Sequence, residues 1–162
     1  MALCCGLAVA AASSAQDSKT LTVSGNVAQT LALTIADLKR YPAHHVDYLP
    51  GNSAARKASI GETRRYTGCL LREVLAAARP IESKPRALRR SYVVAGASDD
   101  YEVVFSWAEL FVSPLGDNVY VVYERDGASL PDDEGPIALI AVTDTQAVRH
   151  VKWLRSLRLR TE

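Results

Sequence analysis

The chain has 162 residues and a net charge of +1, with 48% hydrophobic and 23% charged residues. One domain of this length buries about two-thirds of the surface that its unfolded chain exposes, so it needs no disulfide or metal to hold it together. The balanced charge excludes a large field of one sign, and with it binding to nucleic acid or anionic lipid through overall charge. Any recognition of charge must therefore be local.

The N-terminal stretch "MALCCGLAVAAASSA" is apolar, too short to span a bilayer as a helix, and ends in small residues. We predict a signal peptide over residues 1–15, cleaved after Ala15, followed by a single exported domain over residues 16–162 in the bacterial periplasm. The stretch lacks the basic residues with which a signal peptide usually begins, so a disordered or buried N-terminal segment is the alternative. A lipoprotein at Cys4 is disfavoured because leucine precedes it. The mature chain then keeps one cysteine, Cys69.

The first half of the domain reads as short strands with two helices. "TLTVSGNV" alternates as a strand does, and "TLALTIADLKRYP" predicts a short strand followed by a helix that Thr34 caps. Residues 43–65 predict a long loop with a strand at "HVDYL". In "YTGCLLREVLAAARP" the apolar residues recur at helical spacing, which predicts a helix with Cys69 in its first turn.

The second half predicts more strands. "SYVVAGA" and "YEVVFS" flank a hairpin turn, and Ser106 with Glu109 forms a capping box at the start of a short helix. "NVYVVYERDGASLP", "GPIALIAV" and the closing "RHVKWLRSLRLR" each predict a strand. Strands outnumber helices and do not alternate with them, so the fold class is α+β with a mixed sheet rather than doubly wound. The sequence contains no Gly-rich phosphate loop, GxSxG or HExxH motif.

The order of four motifs carries a resemblance. "YTGCLLREVL", "DDYEVVFSWAEL", "VYVVYERDGASLPDDEGPIALIAVTD" and "VRHVKWLRSLRL" follow one another over roughly residues 20–160. In this order they resemble the molybdopterin-binding oxidoreductase domain of the sulfite oxidase family, and in particular its small, exported, stand-alone members. The resemblance implies a mixed α/β fold whose loops and sheet ends surround a pterin.

The resemblance also implies pocket residues. The closing segment would place Arg149, His150 and Lys152 against the pterin or its phosphate. The other expected pocket residues come from the D-x-Y and F-S positions, the loop after "GPIALIAV" and a stacking tyrosine: Tyr101, Ser106, Asp144 and Tyr123. A carboxylate can accept the N–H groups of a pterin edge, and aromatic rings can stack on its faces. Each residue also has a structural interpretation, as a helix cap, a turn residue, a strand tyrosine or a surface charge.

The early loop departs from the catalytic members of the family. Those members hold molybdenum through a cysteine in a C-x-G-N-x-R loop, and the nearest match here is "LPGNSAAR". Asn52 matches, Arg56 stands in for the basic residue, and Leu49 occupies the place of the thiolate. Both Asn52 and Arg56 are expected in the pocket. Cys69 is expected as a small buried hydrophobe, with a reactive thiol as the alternative.

Three functions remain open on these residues. The first is a periplasmic protein that binds a tetrahydropterin-like or molybdopterin-like pterin without molybdenum, as a ligand-dependent partner of a membrane signalling protein. The second is a molybdenum-cofactor oxidoreductase acting on small oxyanions or sulfoxides. The third is a docking module without ligand. The adjacent His44 and His45 are not expected to bind one metal, because neighbouring strand residues point to opposite faces.

Overall fold

The computed structural model describes residues 19–49 and 62–161. Within them the chain forms short helices among many strands. The strands are β1 (Leu21–Gly25), β2 (Leu31–Leu33), β3 (His44–Tyr48), β4 (Arg64–Leu70), β5 (Ser91–Ala97), β6 (Glu102–Ser106), β7 (Val119–Arg125), β8 (Ala128–Ser129), β9 (Ala138–Ala141) and β10 (Leu154–Thr161). The α-helices are α1 (Ile35–Leu38), α2 (Leu71–Ala77) and α3 (Trp107–Phe111), and the 3-10 helices are Ala87–Arg90, Pro114–Asn118 and Ala147–Arg149.

The strands form two sheets, of which the first is mixed and the second is antiparallel. The first has the order β2-β1-β10-β5-β6, in which β1 and β10 run parallel and every other pair is antiparallel. The second has the order β3-β4-β7-β8, with β9 also paired to β7, and its pairs are all antiparallel. The predicted α+β class with strands in mixed order is confirmed.

Two apolar cores lie on the two faces of the second sheet. The first core joins the first sheet, α2 and α3 to the face of β7 that carries Val119 and Val121. The second core lies on the opposite face, where alternate residues of β7 such as Tyr120 and Val122 meet Tyr66 of β4. Side chains alternate along a strand, so successive residues of β7 enter the two cores in turn. The strand is therefore buried on both faces, and its sequence is one continuous apolar run.

The helix predicted at "YTGCLLREVLAAARP" is wrong for the first part of this stretch and confirmed for the second. Residues up to Leu70 belong to β4, and α2 begins only at Leu71. Strand β4 lies between the two cores, with Cys69 in the first and Tyr66 and Leu70 in the second. It is therefore buried on both faces, and its apolar residues lose the alternation that marks a strand. Gly68 permits this close pairing, since a Cβ there would strike the carbonyl of Val121.

The closing segment also differs from the single predicted strand. Ala147–Arg149 forms a 3-10 helix, Val151 makes an isolated bridge to Leu139, and β10 starts at Leu154. The strand is therefore preceded by an irregular stretch that carries the predicted basic residues. No helix of the described residues has the length and apolar character that a membrane span requires.

Candidate functional site

The segment from His150 to Leu154 is fixed along β9. The backbones of Val151 and Leu139 exchange two hydrogen bonds of 2.9 Å, and the N–H of Leu154 donates to the carbonyl of Ile137 at 2.9 Å. These bonds act as a short ladder that sets the direction of each side chain. As a result Arg149 and His150, which are adjacent in the chain, contact different groups of residues.

A tight backbone turn brings Glu134 to this segment. The N–H of Trp153 donates to the carbonyl of Glu134 at 2.8 Å, and Trp153 adopts the left-handed conformation with φ of 54°. Gly135 has φ of 80°, and a Cβ there would lie 2.7 Å from the Trp153 ring. Both the conformation and the space therefore require glycine at position 135.

The Glu134 carboxylate is the best buried acidic group of the described residues, with 2% of the residue exposed. It accepts hydrogen bonds from the Tyr66 hydroxyl at 3.0 and 3.1 Å and from the Arg125 guanidinium at 2.6 Å. A buried carboxylate is tolerated only when it is paired and hydrogen-bonded in this way. Burial, and then the negative charge of Glu134, raises the pKa of Tyr66, which therefore stays protonated and donates.

His150 completes this group. Its side chain is 5% exposed, and its ring meets those of Tyr48 and Tyr66 edge to face, with centroids 5.6 and 6.5 Å away. The Nε2 atom lies 3.9 Å from Oε2 of Glu134, too far for a hydrogen bond, and is a buried polar atom without a hydrogen-bond partner among the described residues. Burial lowers the pKa of His150 to about 4, so the imidazole is neutral at neutral pH.

Arg149 lies in a second polar group. Its guanidinium donates to both carboxylate oxygens of Asp144 at 2.7 and 2.5 Å, and to Glu109 at 3.3 Å. It also lies over the Phe105 ring, 4.7 Å from the centroid. The bidentate pair raises the pKa of Arg149 and fixes the plane of its guanidinium. The carboxylate of Asp144 therefore has a partner within the chain.

The other expected pocket residues fall into three places. Ser106 forms the predicted capping box with Glu109, next to Arg149, and the Tyr101 hydroxyl donates to the carbonyl of Val148. Lys152 is exposed and pairs with Asp133 at 3.2 Å, beside the His150 group. Tyr123 lies in the first core, away from both groups. Asn52 and Arg56 lie outside the described residues.

Cys69 and the neighbouring pair His44 and His45 have contacts within the chain. The Cys69 thiol is fully buried, 3.9 Å from the carbonyl of Val121, and burial raises its pKa to about 12. His45 contacts the Thr67 hydroxyl at 3.1 Å, whereas His44 packs on the Tyr120 ring. Over residues 19–49 and 62–161, no three His, Cys, Asp or Glu side chains are grouped to hold a metal.

The sequence did not reveal the partners of His150. Glu134 stands in an acidic run, "DDEGP", for which the sequence predicted no role, and Tyr66 lies 68 residues earlier, at the start of the predicted helix. The available signal was the Gly-Pro pair that follows Glu134, a motif already used for the resemblance. This motif did not indicate that the carboxylate of Glu134 turns inward.

Comparison with known proteins defines the class of this domain. The sequence model of the family described as "Oxidoreductase molybdopterin binding domain" matches residues 8–162. "Sulfite oxidase, mitochondrial" of Rattus norvegicus is 26% identical over 152 residues, which cover 83% of this chain and 27% of that protein. The crystal structure of the sulfane dehydrogenase SoxCD from Paracoccus pantotrophus aligns with a TM-score of 0.67 and 20% identity, over 88% of this chain and 38% of that chain.

The chain thus has the molybdopterin-binding fold of the sulfite oxidase type. It belongs to the oxidoreductase molybdopterin-binding domain family, because the family model covers nearly all of it. The resemblance to the molybdopterin-binding domain of the sulfite oxidase family is confirmed. The chain spans about a quarter of the length of the curated relative and less than half of the solved one.

Proposed function

We propose that this chain is an exported protein that binds a pterin without molybdenum. The observation that carries the proposal is the buried Nε2 of His150, which lacks a hydrogen-bond partner in the described part of a molybdopterin-binding domain. A buried polar atom in such a site costs free energy unless a ligand or water completes it.

The neighbouring side chains suit the polar edge of a pterin. Neutral His150 can donate or accept one hydrogen bond, while the Glu134 carboxylate, although paired, retains free lone pairs for an N–H donor. Tyr48 and Tyr66 give the site aromatic walls. Lys152 lies at its exposed side and suits a phosphate group. In this arrangement the Arg149–Asp144 pair orients the segment that presents His150.

The family supplies the alternative. When bound, a molybdenum cofactor provides oxygen-atom or electron transfer at the metal, and the rat relative is by name an oxidase. In the catalytic members that the sequence resembles, a loop cysteine ligates the metal. Here leucine occupies that position, and the Cys69 thiol is enclosed in the first core with a raised pKa. These two observations favour binding over catalysis.

Analysis of what the protein carries separates the two functions. The protein would be exported to a bacterial periplasm, purified without chelator, and analysed for molybdenum and for the fluorescence and mass of any released small molecule. A pterin in equimolar amount without molybdenum is the expected result. Equimolar molybdenum would establish the oxidoreductase instead. If the protein carries neither and does not bind added pterins, the proposal is wrong and a docking module is favoured.

Substitution at His150 tests the position of the site. His150→Ala should weaken pterin binding about tenfold or more, the usual cost of removing one hydrogen bond in a buried polar site. His45→Ala is the matched control, since His45 contacts Thr67 and lies outside the His150 group. Equal affinities of both variants and the wild type would exclude this site.

The proposal includes export and a signalling partner. Export predicts that the mature protein begins at Gln16, which N-terminal sequencing of the periplasmic form would determine. A ligand-dependent role predicts that a membrane signalling protein is retained by the pterin-loaded domain and is lost with the His150→Ala variant. Retention that is independent of pterin would contradict that role.

A further inference from the structure

A basic cleft lies at the other end of the first sheet. It encloses about 750 Å³ between the segment Ser83–Arg86, the following 3-10 helix and the ends of β5 and β10. The His150 group lies just before the start of β10, and this cleft lies at its end. From Leu154 to Leu159, the first β10 residue of the lining, five residues at about 3.3 Å each separate the two by roughly 16 Å.

The charge of the cleft is of one sign. Its lining includes four cations and, among the described residues, no carboxylate; the cations are Lys84, Arg86, Arg90 and Arg160. The structure shows no ion pair or side-chain hydrogen bond for any of these four within residues 19–49 and 62–161. Several arginines elsewhere do pair with carboxylates, among them Arg65, Arg72 and Arg149.

Like charges this close repel one another, so an anion that joins the four cations lowers the electrostatic energy of the cleft. Cations on segments that are free to move would separate to reduce this repulsion. Here the segment that carries Lys84 and Arg86 is tied to the sheet by Asn26, whose amide donates to the carbonyl of Ile81 at 3.0 Å and to the Thr161 hydroxyl at 2.8 Å.

A second tie holds the 3-10 helix that carries Arg90. The Ser91 hydroxyl donates to the carbonyl of Ala87 at 3.1 Å and lies 2.7 Å from the Thr161 hydroxyl. Ser91 is buried and Thr161 ends β10, so this pair joins the helix to the strand that carries Arg160. The cations therefore project from a fixed floor.

We propose that this cleft is a binding site for a small phosphorylated anion with two or more negative charges, such as a diphosphate or a phosphate ester. Guanidinium groups bind phosphate oxygens in a bidentate fashion, and the cleft supplies three of them with one ammonium group. Its volume is in the range of small-molecule sites. The inference is independent of the pterin site.

Inorganic pyrophosphate is the probe for the test, with inorganic phosphate as a weaker comparison. Isothermal titration calorimetry with the full chain should show saturable binding of pyrophosphate at a single site. The double variant Arg90→Gln, Arg160→Gln should weaken that binding about tenfold or more, because it removes two charge-assisted contacts. Absence of saturable binding to the wild type at millimolar pyrophosphate overturns the proposal.

Arg89→Gln is the matched control. Arg89 is exposed in the same 3-10 helix but does not line the cleft, so this variant should bind pyrophosphate as the wild type does. An equal loss in the control and the double variant would show unspecific charge attraction and would overturn the proposal. Thermal unfolding of each variant without ligand shows that the fold is retained, and His150→Ala should leave pyrophosphate binding unchanged.

A further experiment distinguishes a small phosphorylated molecule from the headgroups of a phospholipid membrane. Vesicles of phosphatidylcholine with and without an anionic phospholipid would be compared by sedimentation with the protein. Binding to anionic vesicles without saturable binding of pyrophosphate would overturn the small-molecule assignment in favour of a membrane surface. Binding of pyrophosphate that the vesicles do not inhibit supports it.

Discussion

The buried imidazole of His150 should make the stability of the domain depend on pH in a defined window. Its pKa is about 4 in the folded protein and about 6.5 in the unfolded chain. As the pH falls below 6.5 the unfolded chain takes up a proton that the folded protein does not, so acidification favours unfolding. Below pH 4 both forms are protonated and the effect levels off.

The magnitude follows from the shift. One pKa unit corresponds to about 1.4 kcal/mol, so lowering the pH from about 7.5 to about 4.5 should reduce the free energy of unfolding by about 2.5 kcal/mol through this residue. Three aspartates with lowered pKa values, Asp37, Asp47 and Asp133, are held below 3.8 by side-chain hydrogen bonds. Their contribution is lost at a lower pH, so it does not coincide with that of His150.

Urea unfolding of the ligand-free protein at a series of pH values, followed by tryptophan fluorescence, measures the effect. His150→Phe keeps an aromatic ring against Tyr48 and Tyr66 but cannot titrate, so its free energy of unfolding should fall less by about 2.5 kcal/mol over the same range. His45→Gln retains His150 and should follow the wild type. If His150→Phe and the wild type have the same pH dependence, the imidazole is not buried as described.

Three further results are expected. The thiol of Cys69 should react with iodoacetamide in urea but hardly at all in buffer, and a fast reaction in buffer would contradict its burial and its raised pKa. Gly135→Ala should destabilise the domain by at least about 1 kcal/mol more than Gly127→Ala, as measured by urea unfolding, because both have φ of 80° but only the first meets a tryptophan ring. A double-mutant cycle of Arg149→Ala and Asp144→Ala should give a coupling free energy of about 1–3 kcal/mol, and a value near zero would show that their bidentate pair is not maintained in solution.

The sequence predicted what depends on neighbouring residues. The caps at Thr34 and Ser106 and the hairpin between β5 and β6 were all expected, because the residues that form them lie within a few positions of one another. The family was also accessible, because its motifs are local and only their order was needed. These features require no knowledge of the packed core.

What depends on long-range packing could not be predicted. Cys69 was assigned to a helix because burial on both faces of β4 removed the alternation of a strand. Glu134 was not among the predicted pocket residues, since its inward direction depends on Gly135, Trp153 and the distant Tyr66. Arg149 and His150 are adjacent in the sequence, and the different groups that they contact depend on the pairing of their segment with β9.

The position of β10 has a consequence for how the chain folds. This strand lies between β1 and β5, and it joins residues as far apart as Asn26 and Thr161, 135 positions along the chain. The first sheet therefore cannot close until the last described strand has been synthesised. Loops of this length make strand pairing slow, and β1 and β5 stay unpaired on one edge until β10 arrives. During that time the nascent chain should depend on protection from aggregation, and loss of β10 should abolish the first sheet as a whole rather than shorten it by one strand.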